Sequence, residues 1–348
     1  MQRNQLGHSD LIVSQICLGT MTFGQQNTLS EGCAQLDYAL SEGVNFIDTA
    51  ELYAIPPKAE TYGETERIVG HWLQQRGRRE DIVLASKIAG PGPDWIPHIR
   101  GGNSRFDASH IDAALHDSLS RLQTDFLDLY QLHWPERQTN YFGKLGFQAP
   151  VDESTMTPVV ETLQALKKHI DAGKIRYIGL SNETPWGIMQ FTLVARQLGL
   201  PEIVSVQNPY SLLNRSYEIG GAEISYREQI SLLSYSPLGF GVLSGKYLNA
   251  NQPAQARLTL WPHYARYTNP QAIQATKAYV ELAKANDLDP SQMALAYVNS
   301  RSFNAATIIG ATTMAQLQDN IASQKLNLSA EVLAEIEAIH QRFPNPAP

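Results

Sequence analysis

Short apolar and β-branched runs alternate along the chain with longer amphipathic stretches, the pattern of repeated strand–helix units around a parallel sheet. Eight runs stand out, at residues 16–19, 45–48, 82–87, 126–133, 175–181, 203–207, 231–235 and 306–310. Between them the apolar positions follow a helical period. Ile111, Leu115, Leu119 and Leu122 fall at steps of 4, 4 and 3 on one face, as do Val159, Leu163, Leu166 and Ile170 with steps of 4, 3 and 4.

The punctuation agrees with this reading. Gly43, Gly77, Gly173 and Gly199 each follow an amphipathic stretch, where a left-handed residue ends a helix without a Cβ penalty. Thr184 before Pro185 suits an N-cap followed by a first-turn proline. Eight units without the polar or proline protection that open sheet edges need favour an α/β fold closed into a (β/α)8 TIM barrel. Residues 2–6 and 11–13, flanking a polar Gly7-to-Asp10 turn, predict an N-terminal β-hairpin across the barrel floor. Ser329 ahead of Val332, Leu333, Ile336 and Ile339 predicts an extra C-terminal helix. No linker or low-complexity segment divides the chain, so one domain over 1–348 is expected.

Loop lengths are asymmetric. Helix-to-strand connections are tight, whereas strand-to-helix connections at 49–62, 88–106, 134–157 and 236–269 are long. All of them leave the carboxyl ends of strands, which gathers them at one mouth of the barrel, where such folds carry their chemistry.

Composition narrows the function. The 348 residues carry 27 Lys+Arg against 34 Asp+Glu, a net charge of −7, with 43% hydrophobic and 18% charged residues. Scattered cations and a negative total argue against a nucleic-acid partner. No apolar leader or 18-residue apolar run appears, so no membrane association and a cytoplasmic location are expected. Cys17 and Cys33 read as small buried hydrophobes.

Ionisable residues close three apolar strands: Asp48, Lys87 and His133, with Tyr53 five residues past Asp48. Taken singly, each has an ordinary structural reading as a turn, a solvated rim or a core histidine. Together they have a chemical logic. A Lys ammonium beside a phenol favours phenolate and is expected to lower the Tyr pKa, with a carboxylate fixing the Lys. A neighbouring His would polarise a carbonyl oxygen. Such a set protonates an oxygen as hydride reaches carbon, and the hydride must come from a nicotinamide cofactor.

The segments Leu18-Gly-Thr-Met-Thr-Phe-Gly24, Asn45-Phe-Ile-Asp-Thr-Ala-Glu-Leu-Tyr53, Leu84-Ala-Ser-Lys87 and Asp125-Phe-Leu-Asp-Leu-Tyr-Gln-Leu-His-Trp-Pro135 carry a family resemblance. So do Gly173-Lys-Ile-Arg-Tyr-Ile-Gly-Leu-Ser-Asn182, Gln207-Asn-Pro-Tyr210, Tyr235-Ser-Pro-Leu-Gly239 and Gly310-Ala-Thr-Thr313. In this order the chain resembles the aldo-keto reductases, and among them the bacterial Tas-type oxidoreductases; it also resembles potassium-channel β-subunits. The resemblance implies NADPH-dependent reduction of a small aldehyde or ketone, with Asp48, Tyr53, Lys87 and His133 as the catalytic tetrad and Tyr53 as general acid.

It also implies a cofactor site. Ser181, Asn182 and Gln207 match positions holding the nicotinamide carboxamide, Tyr235 matches the ring stacked on it, and Gly19, Thr20, Met21 and Asp48 lie beside the cofactor. Ser236, Leu238, Gly239 and Gly241 match the pyrophosphate loop, with Lys246 nearby. Gly310, Thr312, Gln316 and Asn320 match contacts to the adenosine half, although Thr313 and Gln316 equally fit a capping box. Arg257 is the candidate cation for the 2′-phosphate, which favours NADPH over NADH. The Gly310 segment lacks the basic residue that relatives often carry there.

Other chemistries fit less well. Gly179-Leu-Ser-Asn-Glu183 lacks the second glycine of a nucleophile elbow, and Gly239 to Gly245 has the wrong spacing for a dinucleotide fingerprint. No H-E-x-x-H occurs, and no metal is expected. Two alternatives stay open: a Schiff-base aldolase using Lys87, and a cofactor-binding regulatory subunit with little turnover. Trp95 and Trp134 with Tyr53 are candidates for an aromatic wall. Substrate identity and assembly into an oligomer stay open.

Overall fold

The computed structural model describes residues 1–348. Eight parallel strands close into a barrel: β3 (Ile16–Gly19), β4 (Phe46–Asp48), β5 (Val83–Ile88), β6 (Leu127–Leu132), β7 (Ile175–Ser181), β8 (Ile203–Pro209), β9 (Ser231–Tyr235) and β10 (Asn304–Ile309). They pair in chain order, with β10 returning to β3 through Ile308 opposite Cys17. Ahead of them β1 (Arg3–Gln5) and β2 (Ile12–Ser14) form the expected antiparallel hairpin. Leu6, Leu11 and Val13 of this hairpin pack on Cys17, Phe46, Leu129 and Leu233 inside the barrel, closing its floor with apolar surface. Gly7 has φ +57, and a Cβ there would lie 2.2 Å from the Val204 carbonyl, so only glycine lets the turn seat this closely.

The outer ring comprises α1 (Leu29–Ser41), α2 (Glu64–Arg76), α3 (Ala108–Leu122), α4 (Val159–Asp171), α5 (Pro185–Leu198), α6 (Tyr217–Glu228), the single turn α7 (Arg257–Leu260), α8 (Pro270–Ala285), α9 (Pro290–Asn299) and α10 (Met314–Ala322). The C-terminal α11 (Ala330–Arg342) begins at the Ser329 cap. None of these helices is long and apolar enough to cross a membrane. Two long helices, α8 and α9, separate β9 from β10, one more than the strand–helix alternation requires. Gly77 and Gly199 take left-handed φ of 65° and 62° at their helix ends, and Thr184 caps α5 by accepting from the Gly187 N–H.

Two sequence expectations shift. Strand β5 runs one residue past Lys87, because Ile88 still pairs with Leu132, and His133 lies just beyond β6 with its N–H bonded to the Ile88 carbonyl. Cys17 is sealed in the barrel, but Cys33 on α1 is only half-buried and is not a core hydrophobe.

Candidate active site

The long strand-to-helix connections meet above the barrel. Ala50, Leu52 and Tyr53 from the first pack with Ala89, Ile96 and Ile99 from the second and with Trp134 from the third. This apolar cap buries Tyr53 to 9% exposure and removes Lys87 from solvent. Its keystone is Glu51, which is fully buried, accepts from the Ala89 N–H at 2.6 Å and receives Arg100 at 2.9 and 2.5 Å. Nothing in the sequence pairs two residues so far apart in the chain.

All four tetrad candidates lie together. The Lys87 ammonium donates to Asp48 Oδ2 at 2.5 Å, to the Thr49 carbonyl at 2.8 Å and to Tyr53 Oη at 3.4 Å. Its three protons are thereby occupied. Burial alone would depress the Lys87 pKa, but Asp48 and Tyr53 overcome it and hold the value above normal. Such an ammonium is not the free amine that a Schiff base needs. His133 stands edge-on to Tyr53, with ring centroids 5.7 Å apart. Burial first, then the Lys87 charge, push its pKa well below the usual imidazole value, so the ring is neutral.

Tyr53 departs from expectation. Lys87 pulls its pKa down as anticipated, but burial outweighs that pull and Asp48 adds to it, leaving the phenol less acidic than in water. The site therefore holds a protonated phenol, and Lys87 limits the increase without reversing it.

Gln131, read from sequence only as part of an apolar strand, is fully buried and donates to Asp48 Oδ1 at 3.2 Å. Its alternation with Leu127, Leu129 and His133 was the available signal. Gln207 donates to the same oxygen at 2.9 Å. Asn182 donates to the His133 carbonyl at 2.9 Å, and Tyr235 Oη donates to Asn182 Oδ1 at 2.6 Å, while Ser181 Oγ donates to the Gln207 carbonyl at 2.9 Å. Ser181, Asn182, Gln207 and Tyr235 thus form one network bordering the tetrad.

The remaining candidates fall into two groups. Thr20 is buried and donates to the Asp48 carbonyl at 2.9 Å, and Gly19 pairs with Asp48 across β3 and β4, with Met21 following at the rim. Asn320 donates to the Gly310 carbonyl at 3.2 Å, holding that turn. Thr313 caps α10, but Gln316 turns its carbonyl to the N–H and hydroxyl of Thr312, so the reciprocal capping box does not form.

Beyond β9, Ser236, Gly239 and Gly241 have left-handed backbones that curl the chain tightly. The N–H groups of Gly239 and Gly241 bond inside that turn, at 2.9 and 3.0 Å, so these glycines contribute shape and not donors; Leu238 keeps its N–H free of main-chain partners. Lys246 lies against Gly241, where an added Cβ would come within 2.8 Å of Nζ. The Arg257 guanidinium stacks 4.9 Å from the Phe240 ring. Neither cation pairs with a carboxylate, and burial lowers both pKa values. Trp95 and Trp134 stack 5.1 Å apart, and Trp134 meets His133 at 5.0 Å, so the aromatic wall is continuous with the tetrad.

Comparison with known proteins places the chain among relatives. A family model described as the aldo/keto reductase family matches residues 15–341. The chain is 53% identical to protein Tas of Escherichia coli K12 over 348 residues, the whole of both chains. It is 31% identical to a probable voltage-gated potassium channel subunit beta of Oryza sativa subsp. japonica, covering 99% of this chain and 98% of that one. It is 27% identical to the Schizosaccharomyces pombe protein named aldo-keto reductase yakc [NADP(+)], covering 94% and 90%.

Proposed function

The chain belongs to the aldo/keto reductase family, and from that premise we propose that it reduces aldehyde or ketone carbonyls to alcohols with NADPH. One observation carries the reading. Lys87 donates to the Tyr53 oxygen, so the phenol proton is the one left to leave, beside a neutral His133.

The residues present fit the cofactor. Lys246 and Arg257 are cations without carboxylate partners beside a turn of left-handed residues, the provision expected for phosphate groups. Tyr235 offers an aromatic face, and the oxygens of Ser181, Asn182 and Gln207 border it. When bound, NADPH supplies the hydride that adds to the carbonyl carbon.

The chain's own residues do the rest. Tyr53 donates its proton to the carbonyl oxygen as negative charge develops there. Lys87, held by Asp48, stabilises the phenolate left behind and so limits how far burial raises the Tyr53 pKa. The Nδ1 atom of His133 is sealed without a partner; with the ring proton on Nε2, the neutral imidazole donates to the same carbonyl oxygen. The cap of Leu52, Ile96 and Trp134 excludes water and strengthens each of these interactions.

The test follows NADPH oxidation against a panel of aldehydes, ketones, quinones and sugars. Turnover in the native chain is expected, with Tyr53→Phe lowering kcat by about 10²–10⁴-fold while NADPH affinity holds. Unchanged kcat in that variant would overturn the assignment. Tight NADPH binding without turnover on any carbonyl would instead favour a regulatory role.

A further inference from the structure

Asp48, ion-paired with Lys87 through one oxygen, presents its other oxygen to two side-chain amides. A carboxylate only accepts, so Gln131 and Gln207 must both turn their NH2 groups toward it. The Gln131 carbonyl then faces the second N–H of Gln207, at 3.2 Å. Both Gln207 protons are occupied inside the barrel. Its own side-chain oxygen accepts nothing from the chain and is not sealed from solvent.

We infer that Gln131 is a positioning residue, which fixes the Gln207 amide with its carbonyl outward as an acceptor for the N–H of the nicotinamide carboxamide. The inference rests on the cofactor reading above and assigns a task to a residue that touches neither cofactor nor substrate. Gln131 reaches both partners because its neighbour on β7 is Gly179. A Cβ there would stand 3.3 Å from Gln131 Cγ and 2.7 Å from Ser205 Oγ. Without Gln131, Asp48 still draws one Gln207 proton inward, but the second bond that locks the plane of the amide is lost and the outward carbonyl is no longer held in line.

The polarity is read by comparing NADP+ with its 3-acetylpyridine analogue, which keeps the carbonyl attached to the ring but replaces NH2 by methyl. Dissociation constants from titration calorimetry suffice, with no turnover required. The native chain is expected to bind NADP+ about tenfold more tightly, since the analogue leaves the Gln207 oxygen without a donor. In Gln131→Met, of similar volume, NADP+ should weaken several-fold and the analogue hardly at all, narrowing the ratio to about threefold or less.

Gln131→Glu is the second variant. Buried beside Asp48, its carboxyl takes up a proton and restores one donor and one acceptor, so the native ratio should return even if both affinities fall. Equal weakening of both ligands in the Met variant, or a lost ratio in the Glu variant, overturns the inference. No binding of NADP+ to the native chain removes the cofactor reading as well, whereas intact NADP+ binding with equal analogue binding removes this inference alone.

Discussion

Lys87 Nζ and Tyr53 Oη stand 3.4 Å apart, with the ammonium as donor and the phenol oxygen as acceptor. The direction of that hydrogen bond matters more than its length. It orders the phenol proton away from Lys87, and it supplies positive charge only where a phenolate would form. Asp48 holds the ammonium there, and both charges are cut off from water.

Removing the cation should therefore have two separable effects. Lys87→Met strands the Asp48 carboxylate in the barrel, at an expected cost of about 3–5 kcal/mol in urea unfolding. The double variant Lys87→Met with Asp48→Asn should recover most of that loss. Activity should not return with it, because neither variant stabilises phenolate. Any step limited by the Tyr53 proton should move to still higher pH, since the group that pulls its pKa down most strongly is gone and only Arg257 still lowers it. Restored activity in the double variant would mean that Lys87 serves stability alone.

His133 predicts a pH dependence of stability. Its folded pKa lies well below the unfolded value, chiefly through burial and then through Lys87. As pH falls below about 6.5 the unfolded chain takes up a proton that the folded ring refuses. The contribution is therefore fully present above that pH and is lost progressively below it. Urea midpoints should fall between pH 7 and pH 5 in the native chain, and fall less in His133→Gln. Parallel declines in the two proteins would show that other groups govern acid stability.

Much of this arrangement is legible in the chain itself. The eight β-branched runs and the glycine-terminated helices determine the barrel, because a closed sheet leaves little choice of order once the units are counted. Asp48, Lys87 and His133 are visible because charge at the end of an apolar strand has to be explained. The acidity of Tyr53 is not visible: Lys87 has the anticipated sign, but burial under the cap of Leu52, Ile96 and Trp134 decides the balance, and that cap comes from three separate loops. Gln131 is hidden for another reason, since a lone amide in an apolar strand reads as a satisfied core residue until its partners on β4 and β8 are seen. The N–H groups of Gly239 and Gly241 are taken up by the turn these glycines make possible, which their place in the sequence does not reveal.

Arg257 and Lys246 supply the cofactor prediction. Each lacks a carboxylate partner, and the Arg257 charge adds to burial in lowering the Lys246 pKa. An anion seated between them would relieve that repulsion. Arg257→Ala should weaken NADP+ by about 10–100-fold, the loss expected for a charge-assisted contact, while NAD+ changes little. Titrations with both nucleotides would check this, and equal losses for the two would place Arg257 away from the 2′-phosphate.

Glu51 and Arg100 predict how the mouth is held. Glu51 sits between Asp48 and Tyr53 in the chain; its carboxylate ties the second long loop to the first through Arg100 and the Ala89 N–H, and accepts from Tyr62 Oη of its own loop at 3.2 Å. Arg100 is braced in turn by Ser104, 2.9 Å from Nε. Arg100→Met leaves a buried carboxylate with only neutral donors, which should cost about 3–5 kcal/mol, whereas Arg100→Met with Glu51→Gln removes the stranded charge and should recover a large part of it. The loops are expected to respond differently from the global stability. With the bidentate tie gone in both variants, residues 89–107 should be cut faster by protease, and kcat should fall by about tenfold as Tyr53 loses its fixed position. NADPH affinity should hold, because Lys246 and Arg257 belong to the segment after β9 and neither bonds to Glu51 or Arg100. A double variant with native kcat and native protease resistance would show that the apolar cap alone positions Tyr53.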